Sequence, residues 1–207
     1  MASFIGSARA TRASSPALID RSMRSRDASS WRSDTTRLLT LYRNGTKVGE
    51  HPESFGNFTL PAAMGTYRLT YDVDASALLP VSTRVSTAWT FQSAGPSDTE
   101  SIPVPLLSVD YALPLGEANH PNGSVAEFAV RQTRGVQQQE ITSFSLWTSV
   151  DDGTTWQPAR VERLEDSRYA AEVPEQDADR GVSLRVAVKA SGGSEFEQTI
   201  IRAYLAE

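Results

Sequence analysis

The 207-residue chain contains no cysteine. A disulfide scaffold, a thiol nucleophile and cysteine-based zinc ligation are therefore excluded. Histidine is scarce as well: His51 and His120 are the two present, and each precedes a proline in a segment that reads as a loop. Two scattered histidines do not make a His-rich metal site, so neither a metal nor a cofactor is expected. No stretch approaches the roughly 18 consecutive apolar residues of a membrane-spanning helix, so no membrane span is expected. Basic charge is thin beyond the start of the chain. Residues 1–37 hold seven Arg against three Asp, whereas residues 104–207 hold sixteen acidic side chains against nine basic ones. An acidic body lacks the cationic footprint that releases counterions from nucleic acid, and nucleic-acid partners are not expected.

What is present is strand pattern, after an uninformative start. Residues 1–35 are rich in Ser, Ala and Arg with little hydrophobic periodicity. They read as a disordered or weakly helical tail. They have no continuous apolar core behind a basic start, so no secretory signal is recognised there. From Leu38 the signals become regular. Asn44-Gly45 is a strong hairpin signal, and a two-residue turn there would place Leu41 opposite Val48 and Tyr42 opposite Lys47. Tyr67, Leu69, Tyr71 and Val73 alternate with Arg68, Thr70 and Asp72. Val85, Thr87, Trp89 and Phe91 alternate with Arg84, Ser86, Ala88 and Thr90. Both read as half-buried antiparallel strands.

Residues 96–103 have the composition of a linker. Beyond them strands are predicted at Leu106–Tyr111, Val125–Gln132, Ile141–Val150, Thr155–Glu162, Arg168–Val173, Val182–Lys189 and Phe196–Leu205. Short strands at such intervals, with Gly, Pro, Asn and Asp between them, predict an all-β, seven-stranded antiparallel sandwich of immunoglobulin or fibronectin type. Val182, Leu184, Val186 and Val188 form its clearest core stripe. The expected organisation is a tail (1–35), a small antiparallel β-domain (36–95), the linker, and a fibronectin-like sandwich (104–207). The small domain looks incomplete, because its few strands would leave exposed edges. Missing strands upstream in a longer protein would explain that.

Chemistry is harder to find. No Gly-x-Ser-x-Gly elbow occurs, and neither His sits in a serine-hydrolase context. Asp151 and Asp152 offer the paired carboxylates of glycoside hydrolysis. Neighbours in a strand or turn point different ways, however, and a turn role for Asp151, Asp152 and Gly153 is the better account. The spacing of an EF-hand loop is missing. Trp156 follows the turn and should bring its ring down onto the sheet. Trp147 falls opposite Phe144 and Leu146 under strict alternation, which makes it a candidate ligand platform or a cover for the hairpin beside Trp156. Three Asn-x-Ser/Thr sequons, at Asn44, Asn57 and Asn122, include two that double as Asn-Gly turns.

Ser149-Val-Asp151-Asp-Gly153-Thr-Thr155-Trp156 is similar to the Asp-box pattern, Ser-x-Asp-x-Gly-x-Thr-Trp, which forms hairpin turns away from active sites in sialidases and other β-rich secreted proteins. A broader resemblance covers residues 37–206. Leu39-Thr-Leu-Tyr-Arg-Asn-Gly45, Thr66-Tyr-Arg-Leu-Thr-Tyr71, Ser86-Thr-Ala-Trp-Thr-Phe91, Val182-Ser-Leu-Arg-Val186 and Glu197-Gln-Thr-Ile-Ile-Arg-Ala-Tyr204 resemble, in that order, the C-terminal β-sandwich region of secreted actinobacterial subtilisin-like serine peptidases. The resemblance implies a non-catalytic accessory region with an extracellular location. Its partners would be a subtilisin-like protease domain or a protein substrate. The family's catalytic motifs (Asp-Thr-Gly, His-Gly-Thr, Gly-Thr-Ser-Met-Ala) do not occur here, so no catalytic residue carries over. A carbohydrate-binding module that takes polysaccharide on Trp147 is the alternative. A free-standing hydrolase using Asp151 and Asp152 is the weaker one.

Overall fold

The computed structural model describes residues 2–7, 35–95, 103–116, 120–174 and 181–205. Among them there is no helix, and none is long and apolar enough to cross a membrane. The strands are β1 (Ala2–Ser7), β2 (Thr36–Arg43), β3 (Thr46–His51), β4 (Phe55–Leu60), β5 (Gly65–Asp74), β6 (Arg84–Ser93) and β7 (Leu107–Ala112). They continue with β8 (Val125–Gln132), β9 (Ile141–Ser149), β10 (Gln157–Pro158), β11 (Val161–Arg163), β12 (Arg168–Glu172), β13 (Val182–Ala190) and β14 (Glu195–Tyr204). An eight-stranded antiparallel sheet has the order β10-β9-β13-β14-β6-β5-β2-β3, and a four-stranded one the order β11-β12-β8-β7. β1 and β4 form a separate two-stranded ribbon.

The second half is a sandwich in the expected sense. Its strands β7, β8, β12 and β11 neighbour one another as A, B, E and D do in immunoglobulin-type domains. β9, β13 and β14, with the short β10 at the edge, take the places of C, F and G. The predicted strand at Thr155–Glu162 is two pieces, β10 and β11, in different sheets. Pro158 cannot donate to a ladder, and just beyond it Ala159 N bonds Leu146 O before the chain crosses to the other layer. The core stripe is where the alternation put it: Val182, Leu184, Val186 and Val188 are each at most 1% exposed. Aromatic rings bridge the layers. Phe144 of β9 lies 5.5 Å from Phe128 and is stacked at 4.2 Å on Tyr169.

The division into two β-domains is not what the ladder gives. β14 pairs with β13 on one side and with β6 on the other, from Glu195↔Thr90 to Ile201↔Arg84. The strands of 36–95 and the sandwich therefore share one sheet. The edge that made the first group look incomplete is filled from within this chain, because β14 satisfies backbone groups that an open β6 would leave unpaired. The side chains agree. The stripe Phe91, Trp89 and Thr87 runs on into Phe196, Gln198 and Ile200, and Trp89 meets Phe196 at 6.0 Å. Polar cross-links also reach the second layer. Trp89 Nε1 donates to Leu107 O at 2.8 Å and Tyr111 Oη to Gln198 Oε1 at 2.8 Å, and within the eight-stranded sheet Gln198 Nε2 donates to Thr87 Oγ1 at 2.8 Å.

Two further expectations are corrected. Ala2–Ser7 is a strand, paired with β4 from Ala2↔Leu60 to Ser7↔Phe55, and the rest of the predicted disordered tail, residues 8–34, lies outside the described residues. The linker falls mostly outside them too. In the first hairpin Asn44 and Gly45 both have positive φ, 49° and 81°, as a two-residue primed turn requires, and Tyr42 faces Lys47. The register then shifts, so that Leu41 faces Gly49 and Val48 is left over, 39% exposed. The reason lies in β4. A side chain at Gly49 would meet the Phe58 ring at 3.4 Å, and Phe58 takes the apolar place that Val48 was expected to fill.

Candidate functional site

The Ser149–Trp156 turn closes β9 onto β10, and its side chains make a self-contained network. Ser149 Oγ donates to Asp151 Oδ1 at 2.7 Å and accepts the Gly153 N–H at 2.9 Å. Asp151 Oδ1 also accepts Thr155 N–H at 2.9 Å, while Oδ2 accepts the Thr155 hydroxyl at 2.6 Å. Thr154 N–H and Oγ1 both donate to Asp151 O. The Thr155 hydroxyl, the Thr155 N–H and the Ser149 hydroxyl together hold the Asp151 carboxyl down at about 2. That is a carboxylate stabilised as an acceptor, with no tendency to hold a proton near neutrality.

Asp152 does something else. Its backbone is left-handed, at φ 57°, and its carboxylate reaches across the sheet to Arg202, with Nε and Nη2 each 2.8 Å from one carboxylate oxygen. The two adjacent acids are thus divided between a local turn and a long-range ion pair, and they do not converge on a common point. Gly153 follows at φ 84°. A Cβ there would also lie 2.9 Å from Ile201 Cδ1 and 3.1 Å from the Trp156 ring. Both conformation and space select glycine.

Trp156 and Trp147 are both half-buried on the outer face of the eight-stranded sheet, away from the core stripe. Arg185 is the cross-strand partner of Trp147, and its guanidinium carbon lies 4.1 Å over the Trp156 ring. The Arg185 cation therefore covers one face of Trp156, a contact favoured by the ring quadrupole. Trp147 lies between Arg185 and Pro158 in the ladder. Beside the turn is a groove of about 330 Å³ lined by Asp74, Ser76, Thr83, Arg84, Asp152 and Arg202, together with Ile201. Its other acid is likewise engaged, since Asp74 Oδ1 accepts from Ser76 N–H and hydroxyl and is lowered by both.

The histidines do not join this site. The His51 ring meets Phe58 edge-on at 5.0 Å, with Nε2 3.2 Å from Asn57 O, and His120 sits in the loop before β8. Among the described residues no three His, Asp or Glu side chains gather where a metal ion could be held. The Asn44 sequon serves the turn, with Oδ1 accepting Thr66 N–H at 3.0 Å. Sequence reasoning missed Arg185 and Arg202. Arg185 had a signal, as the one charged residue inside the Val182–Val188 stripe, and its cross-strand register with Trp147 follows once the strands are paired. Arg202 had none, because nothing local marks an arginine that will adopt φ 55° and meet a turn fifty residues away.

Compared with protein-family models the chain matches none, and no curated protein is significantly similar to it in sequence.

Proposed function

We propose that this chain is a non-catalytic accessory β-sandwich region of the kind found in secreted subtilisin-like serine peptidases. In that role it stabilises the peptidase domain or engages protein substrate or surface material, and it acts outside the cell. The observation that carries the non-catalytic reading is the division of Asp151 and Asp152. Both oxygens of Asp151 accept from the turn, and both oxygens of Asp152 face Arg202. An acid–base pair for hydrolysis needs two carboxyls flanking one bond, one of them with a raised pKa, whereas Asp151 is held low. A second observation supports the resemblance. The five phrases that resemble the peptidase region fall on β2, β5, β6, β13 and β14, which are consecutive neighbours in one sheet. The resemblance thus covers a contiguous structural unit and not scattered fragments.

The test has two parts. The chain alone, at stoichiometric amounts, is expected to leave casein intact, and turnover sensitive to a serine-directed inhibitor would overturn the reading. Mixed with a subtilisin-like peptidase domain, it is expected to lengthen that domain's half-life on heating or to retain a protein substrate, and failure in both would remove the accessory role. Polysaccharide binding on Trp147 is a second reading, favoured by the outward placement of that ring beside Arg185. Retention on a glycan array, lost in Trp147→Ala with the fold intact, would establish it.

A further inference from the structure

The ribbon of β1 and β4 stands outside both sandwich sheets. β4 is seated by its face. Gly56 and Phe58 are buried, the His51 ring packs against Phe58, and a Cβ at Gly56 would run into that imidazole at 2.1 Å. No ladder joins β4 to β3, so one edge of β4 is offered to a strand and is filled by β1 through six register pairs. Among the described residues β1 pairs with no other strand. It is also not a hairpin partner, because β2 and β3 lie between it and β4 in sequence. A two-stranded ribbon is marginal in water by itself. β4 is therefore the fixed half and β1 the removable half.

The geometry points to β4 as a strand-acceptor edge whose occupant exchanges between the chain's own residues 2–7 and residues 2–7 of a second copy. The same segment on a neighbouring molecule makes the same ladder, so exchange keeps every backbone hydrogen bond while an empty β4 would expose a row of them. Residues 8–35 separate β1 from β2. A segment of that length spans at most roughly 90 to 100 Å when extended, so reaching a neighbour meets no covalent bar. Covalent attachment of the donor strand to the molecule that carries its own acceptor gives it an effective concentration of about the millimolar range. Exchange should therefore emerge as protein concentration approaches it. Reciprocal donation closes a twofold dimer with no strand left over. This inference does not depend on the accessory role.

The absence of cysteine makes disulfide trapping clean. Ser3 and Thr59 are register partners, and Thr59 is exposed. Opposed residues place their Cβ atoms about 4.5–5.5 Å apart, near enough for a disulfide after small adjustment. The full chain carrying Ser3→Cys and Thr59→Cys is oxidised at about 10 µM, far below the tether's effective concentration, and at about 1 mM, close to it. Cross-linked monomer at the lower concentration and a rising share of covalent dimer at the higher one is the expected result. The out-of-register pair Ser3→Cys with Asn57→Cys should cross-link several-fold less. Cross-linked monomer alone at both concentrations would overturn exchange. No cross-link at either, or no preference over the out-of-register pair, would overturn the acceptor edge itself.

Discussion

Asp152 and Arg202, fifty residues apart in sequence, both hold a left-handed backbone, at φ 57° and 55°, and meet through two hydrogen bonds of 2.8 Å. A non-glycine residue in that region costs about 1–2 kcal/mol, so two strained residues are held by one bidentate pair. Arg202 is fixed from its backbone as well. Its N–H donates to Ser183 Oγ, and its carbonyl accepts Ser82 N–H where the β13–β14 register shifts. The turn after β9, the irregular end of β14 and the loop before β6 are thus tied at one point.

Removing that pair should destabilise the fold without touching its topology. The side chains are 30% and 19% exposed, so the pair is only partly screened. Asp152→Ala is expected to lower stability by about 1–2 kcal/mol. A double-mutant cycle with Arg202→Ala should give a coupling of about 1 kcal/mol, measured by urea unfolding. A coupling near zero would mean that the contact is incidental.

Much of the fold was legible beforehand, because period-two alternation fixes which face of a strand is buried. Val182 to Val188, Tyr67 to Tyr71 and Val85 to Phe91 needed nothing else. Where two groups of strands join edge to edge is a different kind of fact. The β6–β14 ladder consists of backbone bonds, and nothing in the side chains of Arg84–Ser93 says which strand will supply them. The same limit hid Arg202, whose partner is set by a register shift. Val48 failed for a related reason: the turn chemistry was right, but Phe58 arrived from another strand and displaced it. For Asp151 and Asp152 the spacing already pointed to a turn, and the hydrogen bonds supply the detail.

Two of the hairpin glycines separate strain from crowding. Gly45 and Gly153 have nearly the same φ, 81° and 84°, but a Cβ at Gly45 meets nothing within 4 Å, whereas one at Gly153 lies 2.9 Å from Ile201 Cδ1. Gly45→Ala should cost about 1 kcal/mol from backbone conformation alone. Gly153→Ala should cost roughly 1 kcal/mol more, less whatever the terminal methyl of Ile201 recovers by turning away. Equal losses in thermal or urea unfolding would show that the Ile201 contact yields freely.

Acid should act on the turn first. Asp151 has a folded-state pKa of about 2, below its unfolded value of about 3.9. The contribution of a depressed carboxyl is complete above the unfolded pKa and is lost as pH falls through the folded one. Stability should therefore decline between about pH 4 and pH 2, with Asp74, also lowered, acting in the same direction. In Asp151→Asn the stability at neutral pH is lower and its slope over that window is shallower. A slope equal to that of the parent chain would show that Asp151 is not the group responsible.

The shared sheet predicts that the chain unfolds as one unit. Tyr111, Gln198 and Thr87 form a buried relay from β7 through β14 to β6, and burial pushes the Tyr111 hydroxyl upward so that it stays a neutral donor. Tyr111→Phe removes that donor and leaves Gln198 Oε1, on a residue only 3% exposed, without it. The expected loss is about 1–3 kcal/mol. Trp89→Phe should cost a similar amount, about 1–3 kcal/mol, by orphaning Leu107 O and leaving a partial void. Because β6 and β14 belong to one ladder, each variant should shift a single calorimetric transition to lower temperature with its calorimetric and van't Hoff enthalpies still equal. Two transitions, with only the one that contains residues 36–95 moved by Trp89→Phe, would mean that the two halves fold independently despite their common sheet.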